Sequence, residues 1–557
     1  MAKKKENQLT YLQVPLPEGR KSYRMTKRSW NGLNYRQNID TGALSMEKNI
    51  STLEAPYLVP SRARQDYITS YVEEGKEPFR IFGFDDFLLV VYRDSRDIKV
   101  DYIKYDEEND KTRVYTGLIK SNDDTPWSKL DCCVVQFNAY DVPTDVAEGE
   151  YIKRLLFFPF KVAMFMNIVE VYSNPAEWSG EEVKAADDKV LYCYDDGDKK
   201  RYYEVKTENG ERAFELNGKS SYFICDEMGS DTPDIKYATV HLSRLFGVDD
   251  TRIYSSGYND YTNWVLDDVD GYNESNAWCS PAQSNTKAGG DFTGITNFQG
   301  HIVCFKRDFM HELYNTKNPF RIQDIYAEGA IDNRTIQDVD GKLIFVSDDA
   351  VKIYTGSNPR IISYELNIDK FERAVSGTDG RCYYLYCEDA SRNPRLFTYD
   401  TYTDCWAEQD APEKVLSFAH NKNGMFMLCD DGIVYRLDTA DYGLEWSFET
   451  DLITDQTVDI KHLKKIQMLV DIPAKVGAFS NEEAQIDVYV LYGDEVFNAE
   501  SSHHVYHCKE SGRKAIRVKP RNKNNASYGI KLHIEGKKYV KLYEMELFIE
   551  QGGDLYV

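Results

Sequence analysis

Apolar and polar residues do not recur at helical spacing over any length of this chain. They come instead as short apolar or alternating runs of five to ten residues, cut by clusters of Gly, Asp, Asn and Ser. Residues 79–83, 87–92, 99–105, 132–137 and 190–194 are such runs. A side chain on a strand alternates between two faces, so this punctuation predicts strands and turns. The pattern is sharpest over 295–438, where one phrase recurs four times: a turn with Gly, a strand, a polar or acidic turn, and a second strand ending in an aromatic or Leu. Gly300, Gly341, Gly380 and Gly424 open the strands at intervals of 41, 39 and 44 residues. A period near 40 residues with several strands per period predicts the blades of a β-propeller, because one blade cannot bury its two faces alone. Consecutive hairpins in a sandwich are the plainer alternative. The five tyrosines Tyr254, Tyr314, Tyr354, Tyr399 and Tyr435 are expected at strand ends and blade seams.

The expected fold class is therefore all-β, in three parts. Residues 1–75 are an extended N-terminal arm, irregular and rich in Asn, Arg, Lys and Pro, ordered by packing on something else. Residues 76–450 are the propeller, with insertions. Residues 451–557 carry five or more alternating strands and form a β-sandwich.

Composition narrows the function. The 557 residues hold 92 acidic and 68 basic side chains, a formal charge of −24. That excludes a protein that coats nucleic acid or an anionic membrane, since both need a cationic footprint. Aromatics are 13% of the chain, with 41 tyrosines, which suits strands. No apolar run of secretory length follows the basic N-terminus, and 155–172, the best membrane candidate, is broken by Pro159, Lys161, Asn167 and Glu170. No membrane insertion is expected. The eleven scattered cysteines read as buried reduced thiols from a protein folded in a cytoplasm. Charge is uneven: 513–541 hold ten Lys or Arg and one acid, Glu535. This is either a solvated outward face or a contact face for an acidic partner, through Arg513, Lys514, Arg517 and Lys519.

Catalytic signatures are missing. There is no phosphate loop, no His-Glu-x-x-His and no nucleophile elbow. His503, His504, His507 and Cys508 lie in what reads as a polar loop, without a recognised ligand spacing. The acidic stretch Asp267 to Glu274 reads as a turn before it reads as a Ca²⁺ site. No catalytic residue, metal or cofactor is expected.

One segment is unusual. Residues 245–264 join a strand to an aromatic-polar loop, which reads first as a loop sealing two blades and second as a sugar-stacking surface. Its residues Arg244, Phe246, Gly247, Arg252, Tyr254, Ser256, Asp260 and Trp264 form a pattern that resembles the propeller of the phage tail hub or nozzle proteins, the packaged-DNA stabilisation family. The phrases at 32–36, 43–49 and 56–58 resemble the arm that precedes the propeller there, and the domain beginning at Lys464 also fits. The resemblance implies a structural virion protein without enzyme activity, made in the host bacterial cytoplasm. It implies a ring, commonly hexameric, below the portal and adaptor and around the channel through which DNA leaves. An acidic lumen would let DNA slide without sticking. Two other classes remain open: a carbohydrate- or receptor-binding tail protein, and a propeller glycosidase with a facing carboxylate pair.

Overall fold

The computed structural model describes residues 10–551 apart from 16–20, 28–29, 37–42, 74, 107–110, 142–149, 166–168, 171–188, 196–199, 207–213, 217–220, 223–224, 267–274, 281–289, 316, 327–328, 440, 455–458 and 521–525. The all-β expectation holds. Among the described residues the helical pieces are one short turn, Ser70–Glu73, and three 3-10 turns at Trp127–Lys129, Asn333–Thr335 and Tyr364–Leu366.

Seven small antiparallel sheets follow one another along the chain. The first has Glu77–Phe84, Phe87–Asp94, Asp97–Asp106 and Lys111–Lys120, with Phe214–Leu216 added at its edge. The second has Cys133–Asp141, Glu150–Phe158, Val162–Phe165 and Cys225–Glu227. Before its last strand comes an inserted sheet of Val169–Glu170, Lys189–Asp195, Lys200–Lys206 and Ser221–Tyr222. The third begins at Tyr237–His241 and ends at Trp278–Cys279. The fourth runs from Gly294–Phe298 to Arg321–Tyr326, the fifth from Gln337–Val339 to Arg360–Ile361, and the sixth from Arg373–Thr378 to Cys405–Gln409. The seventh takes Val415–Asn421, Gly424–Cys429 and Val434–Arg436, and is completed by Gln65–Ile68 from the other end of the chain.

The second strand of each sheet explains why its run is apolar throughout. Leu89 and Val91 pack with Leu155 and Phe157 of the second sheet, while Leu88 and Val90 pack with Phe426 and Leu428 of the seventh. Ile302 and Cys304 join Phe246 and Val248 of the third sheet, while Val303 and Phe305 join Leu343 and Phe345 of the fifth. Alternate residues serve opposite faces, so both faces are buried. The remaining seams follow the same rule, between the second and third sheets, the fifth and sixth, and the sixth and seventh. The order of contact is cyclic, since the seventh sheet returns to the first. Each large side chain buried this way contributes about 2 kcal/mol.

The glycine period has a direct cause. Gln299-Gly300 and Asp340-Gly341 are two-residue turns with positive φ at both positions, and Gly takes the second at least cost. The equivalent turn of the third sheet is Leu242-Ser243, at φ 48° and 57°. No glycine marks it, which is why the period fades upstream of 295.

Two short ribbons, Ile50–Ser51 with Val59–Pro60 and Lys475–Val476 with Phe479–Ser480, stand apart, and the two larger remaining sheets form two layers. One contains, in spatial order, Thr10–Pro15, Lys21–Lys27, Lys541–Gln551, Lys461–Ile472 and Gly512–Val518, with Ala526–Ser527 beside Lys461–Ile472. The other contains Leu44–Lys48, Glu445–Thr450, Ile530–Lys537, Gln485–Tyr492 and His503–Cys508. Between them lies a core that includes Met25, Trp30, Leu44, Phe448, Ile466, Val488, Ile534 and Leu547. The 1–75 segment therefore departs from the irregular arm expected of it. It supplies strands to both layers and to the seventh sheet. Its runs are too short and polar to announce strands, because each draws its order from the backbone of a partner strand. Sheet membership also changes after Arg436, so Glu445–Thr450 belongs with the C-terminal layers.

Candidate functional site

The family-like residues 244–264 take structural places. Arg244 is 2% exposed and donates from Nη1 to the carbonyls of Ser256 at 2.6 Å and Asn276 at 2.8 Å. Phe246 meets Phe320 edge-on at 5.1 Å across the seam between the third and fourth sheets. At Gly247 a Cβ would stand 2.6 Å from the Ile235 side chain. Tyr254 donates to Asp249 at 2.8 Å, Asp260 accepts from the Thr262 amide at 2.8 Å, and Arg252 is exposed beside Cys279. Trp264 packs with Tyr261 and Phe137 against the second sheet. Tyr261 and Trp264 of the loop pack in the cluster between the second and third sheets.

The tyrosines obey a rule the sequence reading did not contain. Tyr435 donates to Asp431 at 2.8 Å and Tyr399 to Asp404 at 2.8 Å, as Tyr254 does to Asp249. Tyr314 donates to Glu312 at 2.6 Å, and Tyr354 bonds the same carboxylate from the next sheet. Each phenol is tied to an acid in a turn, on its own strand or on the adjacent sheet, so many of the acids and tyrosines that dominate the composition satisfy one another.

One charged group is assembled from distant parts of the chain. Arg80 of the first sheet donates to the Cys132 carbonyl at 3.0 Å and lies 3.4 Å from Asp131. Asp332 and Arg334, before the fifth sheet, pair through Nε at 2.9 Å and Nη2 at 2.5 Å. Arg373 of the sixth sheet lies 3.5 Å from Glu388 and donates to the Val415 carbonyl at 2.8 Å. These pairs interact. Burial raises the carboxyl of Asp332, but Arg334 and then Arg80 outweigh it and hold it low. Burial lowers Arg373, and the charge of Arg334 lowers it further. Three arginines are thus matched by three carboxylates where several sheets converge. Nothing in the spacing of 80, 332 and 373 could have found the group.

The basic stretch divides. Lys514 pairs with Glu510 at 2.6 Å, Lys538 with Glu483 at 3.6 Å and Lys541 with Glu54 at 2.7 Å, and Lys537 pairs with Glu445. Arg513 lies over the Tyr543 ring at 4.3 Å. Arg517 and Lys519 differ. With Lys465, His503, His504, Val505, Tyr506 and Val518 they line an open cavity of about 1000 Å³. It lies beside the edge strands of the two C-terminal layers.

The histidine cluster is a correction. His503–Cys508 is an edge strand and not a polar loop, and His504 and His507 both bond Asp487, at 2.9 and 2.7 Å. Among the described residues no group of three or more His, Cys, Asp or Glu is placed to hold a metal. The acidic stretch 267–274 lies outside the described residues. The nine described cysteines are free thiols, eight of them buried, and burial pushes Cys133 up to about 11. No helix among the described residues is long and apolar enough to cross a membrane. Tyr364 and Tyr402 are strongly exposed, but Arg36 lies 3.6 Å over one ring and Arg381 4.9 Å over the other.

No protein-family model and no curated protein matches the chain. Among solved structures, a chain of a mitotic checkpoint complex is 8% identical with a TM-score of 0.30, covering 67% of this chain and 93% of its own. A Trypanosoma rangeli sialidase in complex with 2,3-difluorosialic acid is 9% identical with a TM-score of 0.19, covering 87% and 96%. Likenesses this distant carry no functional argument for the chain.

Proposed function

We propose that this chain is a structural subunit of a bacteriophage tail, a hub or nozzle that forms a ring with its own copies beneath the portal and adaptor. In this reading the seven sheets are the blades of a β-propeller and the two C-terminal layers are a β-sandwich. The cyclic order of the seams supports the propeller, as does Gln65–Ile68 completing the seventh sheet. The family-like residues 244–264 supply the tail setting.

The observation that carries a structural role is the interleaving of the chain. The segment 10–68 runs through both C-terminal layers and ends in the seventh sheet, so neither part can come away without breaking strand pairs in the other. Such a subunit suits a task in which shape must survive force rather than change with a ligand. The charge of −24 suits a wall that encloses DNA without gripping it. The balanced Arg80, Arg334 and Arg373 group adds nothing to that negative field, so the acids that repel DNA lie elsewhere on the subunit.

The test is the mass of the full chain in solution by native mass spectrometry, together with its position in purified particles by electron cryomicroscopy. A closed ring on the tail axis is expected. A stable monomer that is absent from particles, or lies off the axis, overturns the reading.

A further inference from the structure

The cavity beside the edge strands of the C-terminal layers has an unusual charge. The chain is strongly acidic, and the neighbouring cations Lys514, Lys538 and Lys541 each have a carboxylate. Lys465, Arg517 and Lys519 line one cavity and have no ion-pair partner among the described residues; Lys465 rests on the Phe548 ring at 4.6 Å. The acid nearest in register is already engaged. Glu546 accepts from Gln467, the cross-strand partner of Arg517, at 3.1 Å, and lies 3.5 Å from Arg24. The Nε2 of His503, also a lining residue, is buried without a hydrogen-bond partner among the described residues. Three like charges around one depression repel one another, and among the described residues no carboxylate pairs with them to offset that cost.

We propose that this cavity binds a phosphomonoester. A phosphomonoester carries about −1.5 to −2 near neutral pH, which matches three cations better than the single charge of a carboxylate does. The Arg517 guanidinium offers a planar fork to two phosphate oxygens, and the lysines act as point charges. His503 Nε2 supplies a further polar partner. Tyr506 and the two valines of the wall give the body of the ligand a flat, apolar surface, as a sugar ring requires. The site does not depend on the tail reading, and its ligand need not be part of a particle.

The experiment is calorimetric titration of the full chain with glucose 6-phosphate, with glucose and glucuronate as the uncharged and singly charged controls. Saturable one-to-one binding of glucose 6-phosphate is expected, at least tenfold tighter than glucuronate, with no heat from glucose. Arg517→Gln and Lys519→Gln are each expected to weaken it at least tenfold. Arg513→Gln, on the same strand but over Tyr543, is expected to leave it unchanged. Equal loss in all three variants would show diffuse surface charge and overturn the site, as would no binding at millimolar ligand. A second arm uses a 20-nucleotide oligothymidylate. Binding of that polymer alone, insensitive to Arg517→Gln, would likewise overturn the phosphomonoester assignment. Ring assembly is read separately by mass, so failure here leaves the tail reading standing and the converse also holds.

Discussion

Gly83 lies against the backbone of His420. One residue is on the first sheet and the other on the seventh, and a Cβ at Gly83 would fall well inside van der Waals contact with the His420 carbonyl. The neighbouring seam holds Ile81, Leu88 and Val90 against Phe426 and Leu428. This approach closes the order of sheets, and it tolerates no side chain, because the obstacle is backbone.

Gly83→Val should therefore cost about 3 kcal/mol, the upper range for overpacking, and loosen this seam before the others. Hydrogen exchange should speed up over 77–94 and 415–429 first. Gly229→Ala, with open space around its Cα, is the control and should be silent. Equal stability of the two variants would show that the seventh and first sheets do not pack this closely.

Arg244→Ala should destabilise the third sheet. It strips the donors from two carbonyls, at Ser256 and Asn276, and leaves a cavity beside Phe320. Unsatisfied buried acceptors cost about 1–3 kcal/mol each, so a total of about 3 kcal/mol is expected in urea unfolding. Arg244→Lys should recover part of it. A loss below 1 kcal/mol would show that water replaces the guanidinium.

Glu47 gives a pH test. It is 1% exposed, and neither carboxylate oxygen has a hydrogen-bond partner among the described residues. Burial, and then the charge of Glu408, push its carboxyl well above the usual range. The folded value exceeds the unfolded one, so the folded chain holds an extra proton. The stability tied to that proton is complete below the unfolded value and is lost as pH rises through the folded one, by at most about 1.4 kcal/mol per pH unit. Glu47→Gln should match the parent at pH 5 and be the more stable at pH 8, read from urea midpoints. Parallel pH profiles would refute the buried, protonated carboxyl.

Removing residues 1–27 should damage the distant C-terminal layers and leave the seven sheets folded. It exposes the edge of Lys541–Gln551 and removes Met25 from the core, a loss of at least about 2 kcal/mol. An unpaired edge strand also invites association, so size-exclusion profiles should broaden. An unchanged profile and unfolding midpoint would mean that the first two strands add nothing to the C-terminal layers.

The parts of the fold legible in the sequence are those set by local contacts. Continuous apolar runs such as 87–92 and 343–346 announced strands buried on both faces. The turns at Gly300 and Gly341 announced a repeat, because positive φ selects glycine there. The third sheet escaped that rule, since Leu242 and Ser243 take the same turn without one. The 244–264 segment stood out in the sequence as unusual, but that Arg244 is buried and Trp264 packs beside Phe137 was not readable there. The cation cavity was half legible: Arg517 and Lys519 stood out in a basic stretch, but their difference from Lys514 and Lys541 did not.

The sequence by itself determined the strand content, the turn-and-strand period over 295–438 and the excess of acid and tyrosine. These follow from side-chain alternation and backbone torsion, which act over a few residues. Only the tertiary structure decided which strand completes which sheet. Gln65–Ile68 finds its partner near residue 435, Lys21–Lys27 finds its own near 548, and Arg80 shares a charged group with residues 332 and 373. Backbone pairing carries no residue code, and the charge of Arg80 acting on Asp332 from far away in the chain leaves no spacing to read. Those choices come from the burial of whole faces, which no short stretch of sequence contains.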